Sequence, residues 1–139
     1  MSSEQLVRLY YQFFNERRLD EAGQLVHPQA VFHYIPTRQR LVGRAGYRAL
    51  VAAWLNAFED ARLELRRVDA NGPTVDVDFV GHGTHTGDLV LGEAFALPAT
   101  GRAAELPFRD RIEVRDGLIA SSELDFDVEE LKRRLLGPG

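Results

Sequence analysis

The sequence predicts an α+β fold in which a curved antiparallel sheet wraps around three N-terminal helices and leaves a cone with one open mouth. Three observations predict it. Apolar residues recur at helical spacing through the first part of the chain, up to Phe58. From Leu63 onward they alternate with charged residues instead, the period of a half-buried strand. Asn71-Gly72-Pro73 and Asp116-Gly117 are turn signals inside that stretch, so the alternating runs are joined as antiparallel neighbours. Helices segregated from strands in this way define an α+β architecture.

The elements follow in order. Leu6, Leu9, Tyr10 and Phe13 carry the first helix, with Phe14 beside them, and Ser2 with Gln5 forms a capping box. The pattern breaks near Arg17-Arg18. A second short helix starts at Asp20 and buries Ala22, Leu25 and Val26; His27-Pro28 ends it, because a residue before proline avoids helical angles. Residues 30 to 35 read as a strand, and Arg38 to Val42 as a polar loop. A longer helix runs from Arg44 to Ala61 on the stripe Tyr47, Leu50, Val51, Trp54, Leu55 and Phe58. Strands follow around Leu63 and Leu65, from Val75 towards Thr86, from Leu106 to Val114, and from Leu118 to Phe126. Gly87 to Arg102 is loop-like at its end, and Val128 to Leu136 is a final amphipathic helix.

Composition narrows the function classes. The 139 residues, 45% hydrophobic and 27% charged, fit one domain with a buried core and exclude disorder. The absence of cysteine excludes disulfides, thiolate metal sites and a cysteine nucleophile. A net charge of −4 argues against a general nucleic-acid binder. No apolar run is long enough to span a membrane, and Met1 to Gln5 carries no signal-peptide pattern, so a cytoplasmic protein is expected.

Alternation assigns faces. Leu106, Phe108, Asp110, Ile112 and Val114 share the inward face of their strand, and Asp110 is the one carboxylate in that row. An apolar wall penalises the charged form and raises the pKa, which makes a carboxyl a proton shuttle near neutral pH. The alternative is a strand-end aspartate paired with arginine or wetted. On the neighbouring run, Val75, Val77, Phe79, Gly81, Gly83 and His85 face inward, with glycines that open space or mark bulges. His85 either polarises a carbonyl or hydrogen-bonds backbone at a sheet edge. His82 and His85 fall on opposite faces, so no metal site is expected. Of His33 and Tyr34 one faces in; His33 shares its face with Val31 and Ile35 and is taken as the inward one. Tyr10, Phe14, Trp54 and Phe58 are core or cavity wall. Asp76 and Asp78 face out opposite Arg109, Arg111 and Arg115, either as cross-strand ion pairs or as a subunit interface.

Several of these residues form motifs. His27-Pro28, Gly83-Thr84-His85-Thr86-Gly87, Pro98-Ala99-Thr100-Gly101-Arg102, and Arg115-Asp116-Gly117-Leu118-Ile119 with Phe126-Asp127 occur in the order that resembles the SnoaL-like polyketide cyclases of the nuclear-transport-factor-like superfamily. The resemblance implies a cystatin-like, cone-shaped barrel with an apolar pocket, in a homodimer or tetramer assembled through the outer sheet face. It implies cofactor-independent proton transfer on a hydrophobic, oxygenated small molecule: aldol cyclisation, isomerisation or hydrolysis. The family's acid–base aspartate lies three residues before the aspartate of the Phe-Asp pair, and that position here is Leu124. Glu123 and Asp125 flank it, pointing away unless a bulge turns one inward. The stretch between His85 and Thr100 is about five residues longer than the family pattern, and Glu93-Ala94-Phe95-Ala96 is expected to lid or narrow the mouth.

The expected site therefore has Asp110 as acid–base, His85 with His33 polarising a substrate oxygen, and Tyr10, Phe14, Trp54, Phe58, Phe79, Phe108 and Leu124 lining the pocket. No cofactor, metal, nucleic acid or membrane is expected. The competing expectation, favoured by Leu124, is a non-catalytic binding or assembly module.

Overall fold

Ser2 opens helix α1 (Ser3–Asn15) with a capping box: its hydroxyl accepts from the Gln5 amide, and the Gln5 side chain accepts from the Ser2 amide. The computed structural model describes residues 1–93 and 95–137. After α1 come α2 (Leu19–Gln24), β1 (Val26–Tyr34), β2 (Gln39–Val42) and α3 (Gly43–Ala57). Then follow β3 (Arg62–Asn71), β4 (Thr74–Thr84), β5 (Leu89–Leu91), β6 (Phe95–Leu97), β7 (Ala103–Arg115), β8 (Leu118–Asp125) and α4 (Val128–Leu136). The α+β order and the last helix agree with the sequence reading. No helix among the described residues is long and apolar enough to cross a membrane.

Six strands form one sheet in the order β2-β1-β8-β7-β4-β3. With β2 and β3 at its edges, the sheet curves without closing into a barrel. The expected all-antiparallel pairing fails at one place, where β1 runs parallel to β8. No hairpin joins these two strands, so no turn dictates their direction, and the chain between them supplies the long crossover a parallel pair requires.

The longest pairing in the sheet is β4–β7, in continuous register from Thr74 opposite Glu113 to Thr84 opposite Ala103. Val75, Val77 and Phe79 on β4 and Leu106, Phe108 and Ile112 on β7 are buried on the inner face. Burying a side chain of this size contributes about 1.5–3 kcal/mol. On the outer face Arg111 meets Asp76 at 3.0 Å and Arg109 meets Asp78 at 3.6 Å, the cross-strand pairing that alternation predicts. Asp116 at φ 56° and Gly117 at φ 71° join β7 to β8; both central residues of a type I′ turn need this left-handed conformation.

Four local readings are corrected. The second helix ends at Gln24, and His27-Pro28 lies early in β1, where the register shifts between Val26 and Val31; proline is tolerated at such an irregularity. The segment after Arg38 is a strand rather than a loop: Arg38 turns the chain at φ 55°, and Leu41 pairs opposite Phe32 while packing on the core. Helix α3 stops at Ala57, because Phe58 leaves it at φ −130°. Within Gly87–Arg102, Leu89, Leu91 and Phe95 are buried in a β5–β6 hairpin whose first strand packs on α3.

Candidate functional site

Helices α1 and α3 lie against the inner face of the sheet and enclose with it a cavity of about 110 Å³. Helical spacing brings Tyr10 and Phe14 to its wall from α1, and Trp54 and Phe58 from the end of α3. The sheet adds Phe79 from β4, Phe108 from β7 and Leu124 from β8. All seven residues taken as pocket wall thus surround one space. Phe79 and Phe108 stack with ring centres 5.0 Å apart, and Trp54 stands edge-on to Phe108 at 5.6 Å. Gly81 and Gly83 line the cavity and open space on this face rather than mark a bulge. An added Cβ would stand 3.0 Å from the Phe108 ring at the first and 3.0 Å from Phe58 at the second, so the glycines let these rings lie against the strand.

Asp110 is the one carboxylate among the described lining residues, and it is 5% exposed. Its Oδ2 accepts from the Tyr11 hydroxyl at 2.5 Å, and its Oδ1 accepts from the Ser122 hydroxyl at 2.6 Å. Burial raises its pKa from 3.8 to about 6, against the opposing pull of the two hydroxyl bonds, with a small further push from the charge of Glu123. Burial wins because each hydroxyl offers one dipole, whereas water would offer a full shell. Tyr11 is itself held well above the ordinary phenol range, by burial first and then by the Asp110 charge, so it remains a donor.

Sequence reasoning missed both of these partners. Tyr11 stands four residues after Val7 and three before Phe14 on the buried side of α1, a signal that was legible. Ser122 depends on a bulge: Glu113 pairs with Ser121 and Val114 with Ile119, so Ala120 is extra. That residue lets Ile119 face inward and still turns Ser122 and Leu124 inward. Glu123 and Asp125 remain exposed on the outer face, so neither replaces the family aspartate. Leu124 lies directly opposite Asp110 across the β7–β8 ladder and is 8% exposed.

The histidines are corrected. His33 is exposed on the outer face beside Ile35, while Phe32 and Tyr34 face in, at 1% and 2% exposure. Val26, Ala30, Phe32 and Tyr34 are buried on one face at period two, and an aromatic pair buries more apolar area than an imidazole. His33 is therefore withdrawn from the site. His85 is fully buried yet does not line the cavity. Its ring stacks on Phe58 at 5.2 Å, and its Nδ1 accepts from the Thr100 amide at 3.2 Å and lies 3.0 Å from the Thr100 hydroxyl. Its backbone exchanges bonds with Arg102 and Gly101. Burial lowers its pKa. It bonds to backbone as in the alternative reading, but just past the end of β4 rather than at a sheet edge, as a latch between strand end and loop.

The same contacts explain two motifs. Gly83 and His85 both pack on the Phe58 side chain, and an added Cβ at Gly87 would collide with the Asn56 carbonyl oxygen. Thr100 and Gly101 then lock His85 from the other side. His82 lies at the cavity rim, with Nε2 2.9 Å from Glu64. No cluster of three or more potential metal-ligating residues occurs among the described residues. Of the expected lid, Ala94 lies outside the described residues, and Glu93, Phe95 and Ala96 do not line the cavity.

The family model for the SnoaL-like domain matches residues 7–122. A candidate polyketide cyclase from Xanthomonas campestris pv. campestris superposes with a TM-score of 0.77 at 24% identity, covering 96% of each chain. A candidate SnoaL-like polyketide cyclase from Jannaschia sp. CCS1 gives 0.79 at 18% identity, covering 97% of this chain and 94% of that one. A candidate ketosteroid isomerase from Kribbella flavida gives 0.67 at 23%, covering 90% and 77%. At these identities the structures speak for the fold alone. No curated protein matches the sequence.

Proposed function

Taking as premise that the chain belongs to the SnoaL-like domain family, we propose that it binds a hydrophobic, oxygenated small molecule in the cavity and moves a proton on it with Asp110. One observation carries the reading. A lone carboxyl, raised to about 6, sits between two hydroxyls in a largely aromatic and aliphatic cavity wall. Such a group is ionised at neutral pH but close enough to its pKa to take and return a proton.

In the proposed cycle the Asp110 carboxylate takes a proton from a carbon next to a substrate carbonyl. The C–H electron pair becomes an enolate, and Asp110 becomes the neutral acid. The acid then returns that proton, to another carbon in an isomerisation or to the new alkoxide in an aldol ring closure. Asp110 ends as it began, so the cycle uses no cofactor. Tyr11 and Ser122 hold the carboxyl in one orientation. General acid–base help of this kind supplies about 10²–10⁴-fold, and donors to the enolate oxygen supply the remainder.

The test is solvent-deuterium exchange next to the carbonyl of a panel of cyclic and aryl ketones, followed by proton NMR. The reading predicts exchange with the native protein and its loss in Asp110→Asn. One residue favours a second reading, a non-catalytic binding module: Leu124 stands where the resemblance to the cyclases implies an acid–base aspartate. That reading predicts ketone binding without exchange in the native protein.

A further inference from the structure

The cavity as it stands is too small for a ring. An apolar cavity of roughly 150 Å³ takes one benzene. This one measures about 110 Å³, so a ligand that carries a ring enters only if part of the wall moves. Three helices contribute to that wall: α1, α3 and, through Leu131, α4. They are attached to the rest of the molecule very differently.

Helix α1 buries Leu6, Val7, Tyr10, Tyr11 and Phe14. It is tied to the sheet by the Tyr11–Asp110 bond and by Asn15, whose side-chain amide exchanges two 2.8 Å bonds with the backbone of Leu63. Helix α3 is tied by Trp54 to Tyr34, by Arg44 to the Val26 carbonyl at 3.0 Å and by Asn56 to the Asp88 carbonyl at 2.9 Å. Its Ala57 carbonyl also accepts from the amides of Thr86 and Gly87. Helix α4 buries only Leu131 and Leu135 and packs chiefly on β7. Among the described residues one hydrogen bond joins it to the sheet, from the Arg134 guanidinium to the Glu105 carbonyl, and Lys132 lies 5.8 Å from the centre of the Phe95 ring. The bonds of Lys132 to Glu129, and of Arg133 and Arg134 to Glu130, stay within the helix. Phe126 and Asp127 join α4 to β8. Phe126 is held among the rings of Tyr34, Trp54 and Phe108, so a pivot falls at Asp127.

We infer that α4 is a lid: it lifts from β7 as a unit, withdraws Leu131 from the cavity wall and admits the ligand there. Arg134 is its latch. The lid goes beyond the proton-transfer reading and rests on it only in that a ligand enters the cavity. Each opening leaves a trace that needs no ligand. A helix of nine residues is too short to persist away from the surface it packs on, so lifting exposes its amides together rather than one at a time.

Amide hydrogen exchange followed by NMR reads the opening. The amides from Leu131 to Leu136 are expected to share one opening equilibrium, at least tenfold more populated than that of α1 and α3. Arg134→Gln removes the latch and should raise that equilibrium about fivefold; Arg133→Gln, which loses a bond inside the helix, should raise it at most about twofold. Entry is read by stopped-flow fluorescence of Trp54, the one tryptophan in the chain, with acetophenone as probe. Association is expected to accelerate by the same factors at an unchanged dissociation constant, because the closed lid remakes the same contacts in free and bound protein. Three results overturn the inference while the acid–base reading of Asp110 stands: protection of Leu131 equal to that of α1 and α3, fraying from Leu136 that stops short of Leu131, or association unchanged in Arg134→Gln. If acetophenone binds neither the native protein nor Asp110→Asn, the lid falls as an entrance and the ligand-site reading falls with it. Binding that follows the lid kinetics without deuterium exchange on the ketone supports the lid and removes the proton-transfer reading alone.

Discussion

Asp110 and His85 look alike in the sequence and differ in the molecule. Both belong to inward-facing rows on neighbouring strands, both are buried, and both have pKa values displaced by burial. Yet Asp110 has its own hydroxyl partners on one side and a cavity on the other, whereas His85 has packed protein on every side, with Phe58 against one ring face and Thr100 on Nδ1. Burial and a polar atom are common to a reactive group and a structural one. What separates them is whether the polar atom borders space that a substrate can enter.

The largest expected effect separates the two residues by activity. Asp110→Asn should lower the rate of ketone proton exchange by about 10²–10⁴-fold. His85→Ala should leave the rate per folded molecule within about threefold of the native protein, since His85 touches no ligand in the proposed site. Equal losses in the two variants, measured at matched folded fractions, would break the comparison.

The next effect is the pH dependence of stability, where the two residues have opposite signs. Asp110 has a folded pKa above its ordinary value, so its contribution is complete below pH 3.8 and is lost as the pH rises through about 6. The difference between 3.8 and about 6 corresponds to about 3 kcal/mol. His85 has a folded pKa below its ordinary 6.5, so its contribution is complete above that value and is lost as the pH falls. Denaturant melts from pH 4 to 7 should therefore tilt towards greater stability at high pH in Asp110→Asn, and towards greater stability at low pH in His85→Ala, each relative to the native protein.

A smaller effect concerns the latch itself. His85→Ala should cost about 2 kcal/mol in urea denaturation, from the lost Phe58 stack and the unpaired Thr100 amide. Smaller still is Ser122→Ala. It removes one of the two bonds that pull the Asp110 pKa down, so the midpoint of the pH–rate profile should move to higher pH. A shift to lower pH would show that Ser122 does not serve the ionised form.

What was legible in the sequence follows the same division. Strict period two put Asp110 on the inner face because β4 and β7 run in register without interruption. The capping box at Ser2 and the turn at Asp116-Gly117 were legible because each is a short-range interaction. Ser122 was not, because its facing depends on a single inserted residue at Ala120 that no residue type announces. The parity of His33 and Tyr34 was not legible for a different reason: both faces carry apolar side chains, Ala30 and Phe32 on one and Val31 and Ile35 on the other. β2, β5 and β6 are too short for alternation to stand out from a loop. The role of His85 could not be read because it depends on Thr100, a partner fifteen residues away on a returning loop.

The most direct test of the central claim is the titration of the Asp110 carboxyl by carbon-13 NMR, with the protein labelled at aspartate and the resonance assigned by Asp110→Asn. The account predicts a midpoint about 6. A midpoint near the ordinary aspartate value of 3.8 would mean that the carboxyl is solvated rather than held in an apolar cavity, and would contradict it.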